Sequence, residues 1–160
     1  MSDAQESNFD KPVAYKKGQV IFVTGEPSSY LYLVKSGEIT IFLEDRDRLM
    51  PISIIEAEEF LGELAMFNDD VRTACAVATK HSEVYIVKKS EIKNVLRHCP
   101  EWVSQIMATL SERLVHSIDV LREHRIMDER LQKRAELNPN ELGQMRKSIE
   151  EFRTRRGLKK

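Results

Sequence analysis

Glu63 and Arg72 stand nine positions apart in the stretch Phe60-Leu61-Gly62-Glu63-Leu64-Ala65-Met66-Phe67-Asn68-Asp69-Asp70-Val71-Arg72-Thr73-Ala74. A carboxylate and a guanidinium bracket a short apolar helical turn that opens at a glycine. Such a turn can offer backbone N–H donors and the positive end of a helix dipole to an anion. Arg72 carries a fixed fork of donors that matches phosphate oxygens two at a time. Glu63 supplies an acceptor for the proton of a sugar hydroxyl. Phosphate and sugar addressed by one short segment point to a nucleotide. The bland alternative is a structural salt bridge across the loop.

The elements that must position this segment read as strands from residue 13 to residue 88. Short β-rich runs recur at Val20 to Val23, Tyr30 to Val34, Ile39 to Leu43, Ile52 to Ile55, Cys75 to Ala78 and Val84 to Val87. Gly18, Gly25-Glu26-Pro27-Ser28-Ser29, Ser36-Gly37 and the charged Glu44 to Arg48 supply turns between them. Many short strands at near-regular spacing predict a barrel or jelly roll. The alternation Ile39, Ile41, Leu43 assigns one core face to its strand.

Beyond Lys89 the period changes. Ser90 is the expected N-cap of a short helix that ends before Pro100. A long helical segment begins near Glu101, with Val103, Ile106, Leu110, Leu114, Ile118, Leu121 and Leu131 forming an apolar stripe that thins after Leu121. Asn138-Pro139-Asn140-Glu141 starts a further helix, with Asn138 as N-cap, Pro139 at the first position and Glu141 closing a capping box. That last helix reads as polar nearly all round, ends near Gly157, and is expected to be a solvated arm or a surface that needs a partner.

Composition narrows the class. The 160 residues carry a net charge of −1, yet Arg122 to Lys160 hold twelve Lys and Arg against seven Asp and Glu, which leaves the body at −6. No apolar run reaches membrane-spanning length, and the polar Met1 to Asp10 resembles no secretory signal. Cys75 and Cys99 form no C-x-x-C pair, so the expectation is a reduced, cytoplasmic protein with an inert thiol at Cys75. His116 and His124 lie about 12 Å apart along the helix, too far to share an ion, and no metal site is expected. No G-x-S-x-G elbow, Walker loop or H-E-x-x-H occurs, and the expectation is a non-enzyme.

Residues 13 to 121 resemble the cyclic nucleotide-binding domain family, which includes the bacterial cyclic AMP receptor protein and kinase regulatory subunits. Gly18-Gln19-Val20-Ile21-Phe22 with Gly25-Glu26 is similar to its opening strands. Lys35-Ser36-Gly37-Glu38-Ile39 is similar to its hairpin, and Phe60 to Ala65 with Arg72-Thr73-Ala74 to its phosphate-binding cassette. The resemblance implies an α+β fold: an antiparallel, jelly-roll-like β-roll followed by C-terminal helices. It implies a ligand rather than a cofactor, cyclic AMP or cyclic GMP, with a lean to cyclic AMP. Glu63 would hold the ribose 2′-hydroxyl and Arg72 the cyclic phosphate. The backbone of Gly62, Glu63, Leu64, Ala65 and Ala74 would donate to phosphate oxygens, and Thr73 would face phosphate or base. Glu58 departs from the pattern, standing where the family often has glycine; pointing inward, its charge would weaken anion binding.

The division that follows is a disordered N-terminus at 1–12, the binding domain with the start of its helix at 13–121, and a charged helical extension at 122–160. The family's long helix implies a homodimer through 101–135 and a lid over the base, with Arg122, His124 and Arg125 as candidates. The expected function is a regulatory sensor that moves its helices on binding and signals to an unidentified protein partner. The alternatives are a scaffold with a vestigial pocket and a transcription regulator like the cyclic AMP receptor protein. Too few residues follow Leu121 for that family's winged helix-turn-helix, which argues against specific DNA reading. Arg153, Arg155, Arg156, Lys159 and Lys160 leave room for nonspecific contact.

Overall fold

The structure, a computed structural model, describes residues 11–46, 48–67, 71–124 and 128–158. Eight strands make the roll: β1 (Val13–Tyr15), β2 (Val20–Phe22), β3 (Tyr30–Ser36), β4 (Ile39–Asp45), β5 (Arg48–Ile55), β6 (Phe60–Leu61), β7 (Cys75–Ala78) and β8 (Ser82–Lys88). The helices are α1 (Leu64–Phe67), α2 (Lys89–Arg97), α3 (Glu101–His124), α4 (Glu129–Arg134) and α5 (Pro139–Arg155). Two four-stranded antiparallel sheets result, ordered β1-β8-β3-β6 and β2-β7-β4-β5. Between them lies a core of Ile21, Phe22, Tyr32, Val34, Ile39, Leu61, Ala76, Ala78 and Val84. The expected β-roll followed by helices is the fold observed. Most of residues 1–12, expected to be disordered, lie outside the described part.

All six runs expected as strands are strands; β3, β4, β5 and β8 extend beyond the expected residues, and β2 stops one residue earlier, at Phe22. β5 begins at Arg48 rather than Ile52 and passes through Pro51. It sits at the edge of its sheet, where a residue without an N–H costs no ladder bond on the open side. The two- and three-residue strands β6 and β1 were too short to carry a pattern in the sequence. At the far end of the roll, Ser90 is not the N-cap of α2. β8 runs to Lys88, whose extended backbone is the cap residue, and the amide of Lys89 donates to the Ser29 carbonyl at 2.9 Å.

The stripe on β4 is half of a larger pattern. Ile39, Ile41 and Leu43 do face the interior, but Thr40 and Phe42 on the opposite face are fully buried as well. The cover is α5. Met145 and Ile149 pack on Val20, Val23, Phe42, Cys75 and Val77, with Leu142 and Phe152 alongside. This overturns the expectation of a solvated or partner-seeking arm. Leu142, Met145, Ile149 and Phe152 recur at helical spacing and form a narrow apolar stripe on an otherwise charged helix. Arg153 fixes the last turn by donating to both carboxylate oxygens of Glu44, at 3.1 and 2.6 Å, with both side chains largely shielded from water. The start of α5 is as expected: Asn138 and Glu141 form a reciprocal capping box and Pro139 opens the helix.

The 101–135 segment is not one helix. α3 ends at His124, and Asp128, in extended conformation, caps α4 through the amides of Arg130 and Leu131. An aspartate before a new apolar position was the available signal for that break. Cys75 is buried, as expected of an inert thiol, and burial pushes its thiol up to about 11.

Candidate functional site

A cavity of about 290 Å³ opens between the roll and α3. All seven candidate residues, Gly62, Glu63, Leu64, Ala65, Arg72, Thr73 and Ala74, line it. They arrive from two directions. Gly62 to Ala65 turn from β6 into α1, while Arg72 to Ala74 enter β7. The Arg72 amide donates to the Glu26 carbonyl and its carbonyl accepts from Gly25, both at 2.9 Å, which fixes this second limb against the turn before β3.

Arg72 is the centre of the arrangement. It is only 4% exposed, and its guanidinium lies over the Phe22 ring, 4.2 Å from the ring centre. Its Nη1 donates to the Gly62 carbonyl at 3.0 Å and its Nη2 to the Tyr30 carbonyl at 2.6 Å. Nε has no hydrogen-bond partner. Among the described residues no carboxylate lies within ion-pairing distance, so the loop salt bridge with Glu63 is not formed. Burial pulls the guanidinium's pKa down, and neighbouring Tyr32 and Glu26 oppose that pull. A buried cation held by neutral carbonyls is an anion receptor, because buried charge is costly until it is paired.

Gly62 makes that posture possible. Its φ of +88° is left-handed, and a Cβ here would collide with Nη1 of Arg72. Glu63 stays exposed at the rim. Partial burial of its carboxyl raises its pKa, while its own amide and Arg72 oppose that rise. Tyr32 sits beside Arg72, and its hydroxyl is pushed up to about 12 by burial, so it remains protonated.

Beyond the cassette the cavity lining is mostly apolar, with Ile41, Ile52, Ile55, Leu114, Ile118 and Leu121 around a single serine, Ser53. Three of these, Leu114, Ile118 and Leu121, belong to the apolar stripe of α3 and were not among the expected site residues. Of the three lid candidates, Arg122 reaches the rim, where its Nη2 donates to the Thr73 carbonyl at 2.9 Å and its Nη1 to Asp119 at 3.1 Å. His124 is exposed and does not line the cavity. Arg125 lies outside the described residues. Glu58 adopts φ +71° in the turn before β6, the conformation for which glycine is suited, and its side chain is exposed, away from the cavity.

The roll and the segment that carries Arg72 are matched by a known family. The family model for the Cyclic nucleotide-binding domain matches residues 12–99. The chain belongs to the cyclic nucleotide-binding domain family. It is similar to the CRP-like cAMP-activated global transcriptional regulator of Mycobacterium tuberculosis, 27% identical over 105 residues, which are 65% of this chain and 47% of that protein. It is also similar to the cAMP-dependent protein kinase regulatory subunit of Colletotrichum orbiculare, 34% identical over 82 residues, 51% of this chain and 20% of that one. Among solved structures, the EAL enzyme Bd1971 in its cAMP-bound form superposes with a TM-score of 0.64 and 25% identity, over 67% of this chain and 29% of that one. The chain thus spans less than half the length of these relatives. No described helix is long and apolar enough to cross a membrane.

Proposed function

We propose that the chain is a non-catalytic sensor for a cyclic mononucleotide, with cyclic AMP preferred. The observation that carries the reading is Arg72: a buried guanidinium with no carboxylate partner among the described residues, in a cavity lined otherwise mostly by apolar side chains. A cyclic nucleotide has the same division, a charged phosphoribose and a flat base. Arg72 and the backbone of Gly62 to Ala65 and Ala74 would take the phosphate, Glu63 would accept from the ribose 2′-hydroxyl, and Thr73 would stand beside them. The isoleucines and leucines favour adenine, since guanine would bring a carbonyl and a ring N–H that adenine lacks to a wall that is apolar apart from Ser53. The cyclic AMP in the names of the relatives supports the same class.

Glu63→Gln tests the assignment without disturbing the fold. A carboxyl whose pKa is raised in the folded state adds stability at low pH and loses it as pH rises through that value. At neutral pH the Gln variant is therefore expected to melt no lower than the parent, and the difference to shrink on acidification. Its affinity for cyclic AMP is expected to fall about tenfold, the value of a charge-assisted contact reduced to a neutral one. Unchanged affinity by calorimetry counts against the role of Glu63.

Ligand in this cavity would touch the cassette and α3 together, so it biases the orientation of α3. Slower amide exchange around Leu114 to Arg122 on adding cyclic AMP is the expected sign; identical exchange removes the switching claim. The same helix supports a homodimer, in which 101–124 replaces the 101–135 span. Trp102, Ile106, Leu110 and Leu114 follow one another at four-residue steps and are 60%, 50%, 52% and 51% exposed. Such a stripe fits a second copy of itself. Light scattering is expected to give a dimer for the parent and a monomer for Ile106→Asp/Leu110→Asp; a monomeric parent refutes the pairing. A protein partner then reads the helices, a role consistent with the family's regulatory members.

A further inference from the structure

The N-terminus of α2 opens on a second hollow, of about 430 Å³, separate from the cavity at Arg72. Three observations meet there. The cap residue of α2 is Lys88, whose side chain is a donor and caps nothing, so the amides of the first turn have no side-chain acceptor. Lys88 and Lys93 border the hollow, and among the described residues no carboxylate pairs with either. Ser28, which also lines the hollow, is 6% exposed, and its Oγ has no hydrogen-bond partner. A shielded hydroxyl left unpaired is uncommon and calls for an acceptor. Ser29 and Ser90 add two further hydroxyls.

We propose that this hollow binds a phosphate dianion, free or as the head of a phosphomonoester. The helix dipole, two ammonium groups, the unpaired Ser28 hydroxyl and the first-turn amides beyond Lys89, whose own N–H donates to the Ser29 carbonyl, are donors or positive ends, and a tetrahedral oxyanion supplies acceptors for them. Two groups work against it or stand apart. Glu91, in the first turn of α2, carries an opposing charge but is exposed and does not line the hollow. The ammonium of Lys89 is committed elsewhere, donating to the Ala65 carbonyl at 2.9 Å. That bond, with the Tyr30 carbonyl on Arg72, makes the wall between the two cavities common to both. The proposal rests on Ser28 and α2, and does not require the nucleotide reading to hold.

The test is a nuclear magnetic resonance titration of the full chain with sodium phosphate and, separately, glycerol 3-phosphate, each against sodium chloride at equal ionic strength. Saturable shifts of the Ser29, Ser90 and Glu91 amides are expected. Saturation by both probes identifies free phosphate as sufficient, and saturation by the ester alone identifies a phosphomonoester. Lys88→Met/Lys93→Met is expected to weaken binding by at least about tenfold, the value of one charge-assisted contact. Ser28→Ala removes an unpaired hydroxyl, so it is expected to melt no lower than the parent while binding more weakly. Shifts that chloride reproduces, or that persist undiminished in both variants, overturn the proposal.

Discussion

Arg72→Ala is expected to lower affinity for cyclic AMP by at least about tenfold and up to roughly a hundredfold, as one or two charge-assisted hydrogen bonds are lost. The same guanidinium also ties Gly62 to Tyr30 through their carbonyls, so the alanine variant removes two internal donors and loses stability too. Arg72→Lys separates the two effects. A lysine keeps the charge but has no planar fork to span two acceptors. It is therefore expected to bind more weakly than the parent while retaining more affinity than alanine. Calorimetry on all three proteins, with melting temperatures alongside, reads both quantities. Equal affinity across the series would remove Arg72 from the ligand.

The second large effect lies on the opposite face. Arg153 and Glu44 form a paired, two-bond contact under α5, and the Cys75 thiol donates to the same carboxylate at 3.3 Å. Hydrogen bonding to Glu44 raises the pKa of Arg153, and its place in the last turn of α5 suits the negative end of the helix dipole. Arg153→Met leaves the shielded carboxylate without its guanidinium. The expected cost is about 3 kcal/mol, the lower end of the range for breaking a buried pair, since Glu44 keeps some water contact. For a chain of this size that corresponds to a fall of roughly 6–12 °C in melting temperature. Glu44→Leu combined with Arg153→Met is expected to recover most of the loss, because no shielded charge deprived of its counter-ion then remains. A double variant as unstable as the single one would show that the ion pair itself, rather than a carboxylate deprived of its counter-ion, sets the cost.

These two contacts mark what could and could not be read from the chain. The cassette was legible because its chemistry is local: Gly62 to Ala74 span one turn, one short helix and one strand entry. The strand runs and the Asn138 capping box were legible for the same reason. The apolar wall of the cavity was not, because Leu114, Ile118 and Leu121 reach it only when α3 folds back over the roll. Nothing in their spacing separates wall from packing. The destination of α5 was missed for a different reason. Its stripe is one residue wide, and charge on every other face hid Leu142, Met145, Ile149 and Phe152. Arg153, read as part of a basic tail, turned out to be buried against an acid 109 positions away. Glu58 shows the converse: a departure in sequence that the backbone accommodates, since its charge faces outward.

Titration of the parent chain with cyclic AMP by isothermal calorimetry addresses the central claim most directly. Saturable binding of one nucleotide per chain, tighter than cyclic GMP and weakened in Arg72→Ala, is the predicted outcome. Absence of binding by either nucleotide, or binding that Arg72→Ala leaves intact, would contradict it.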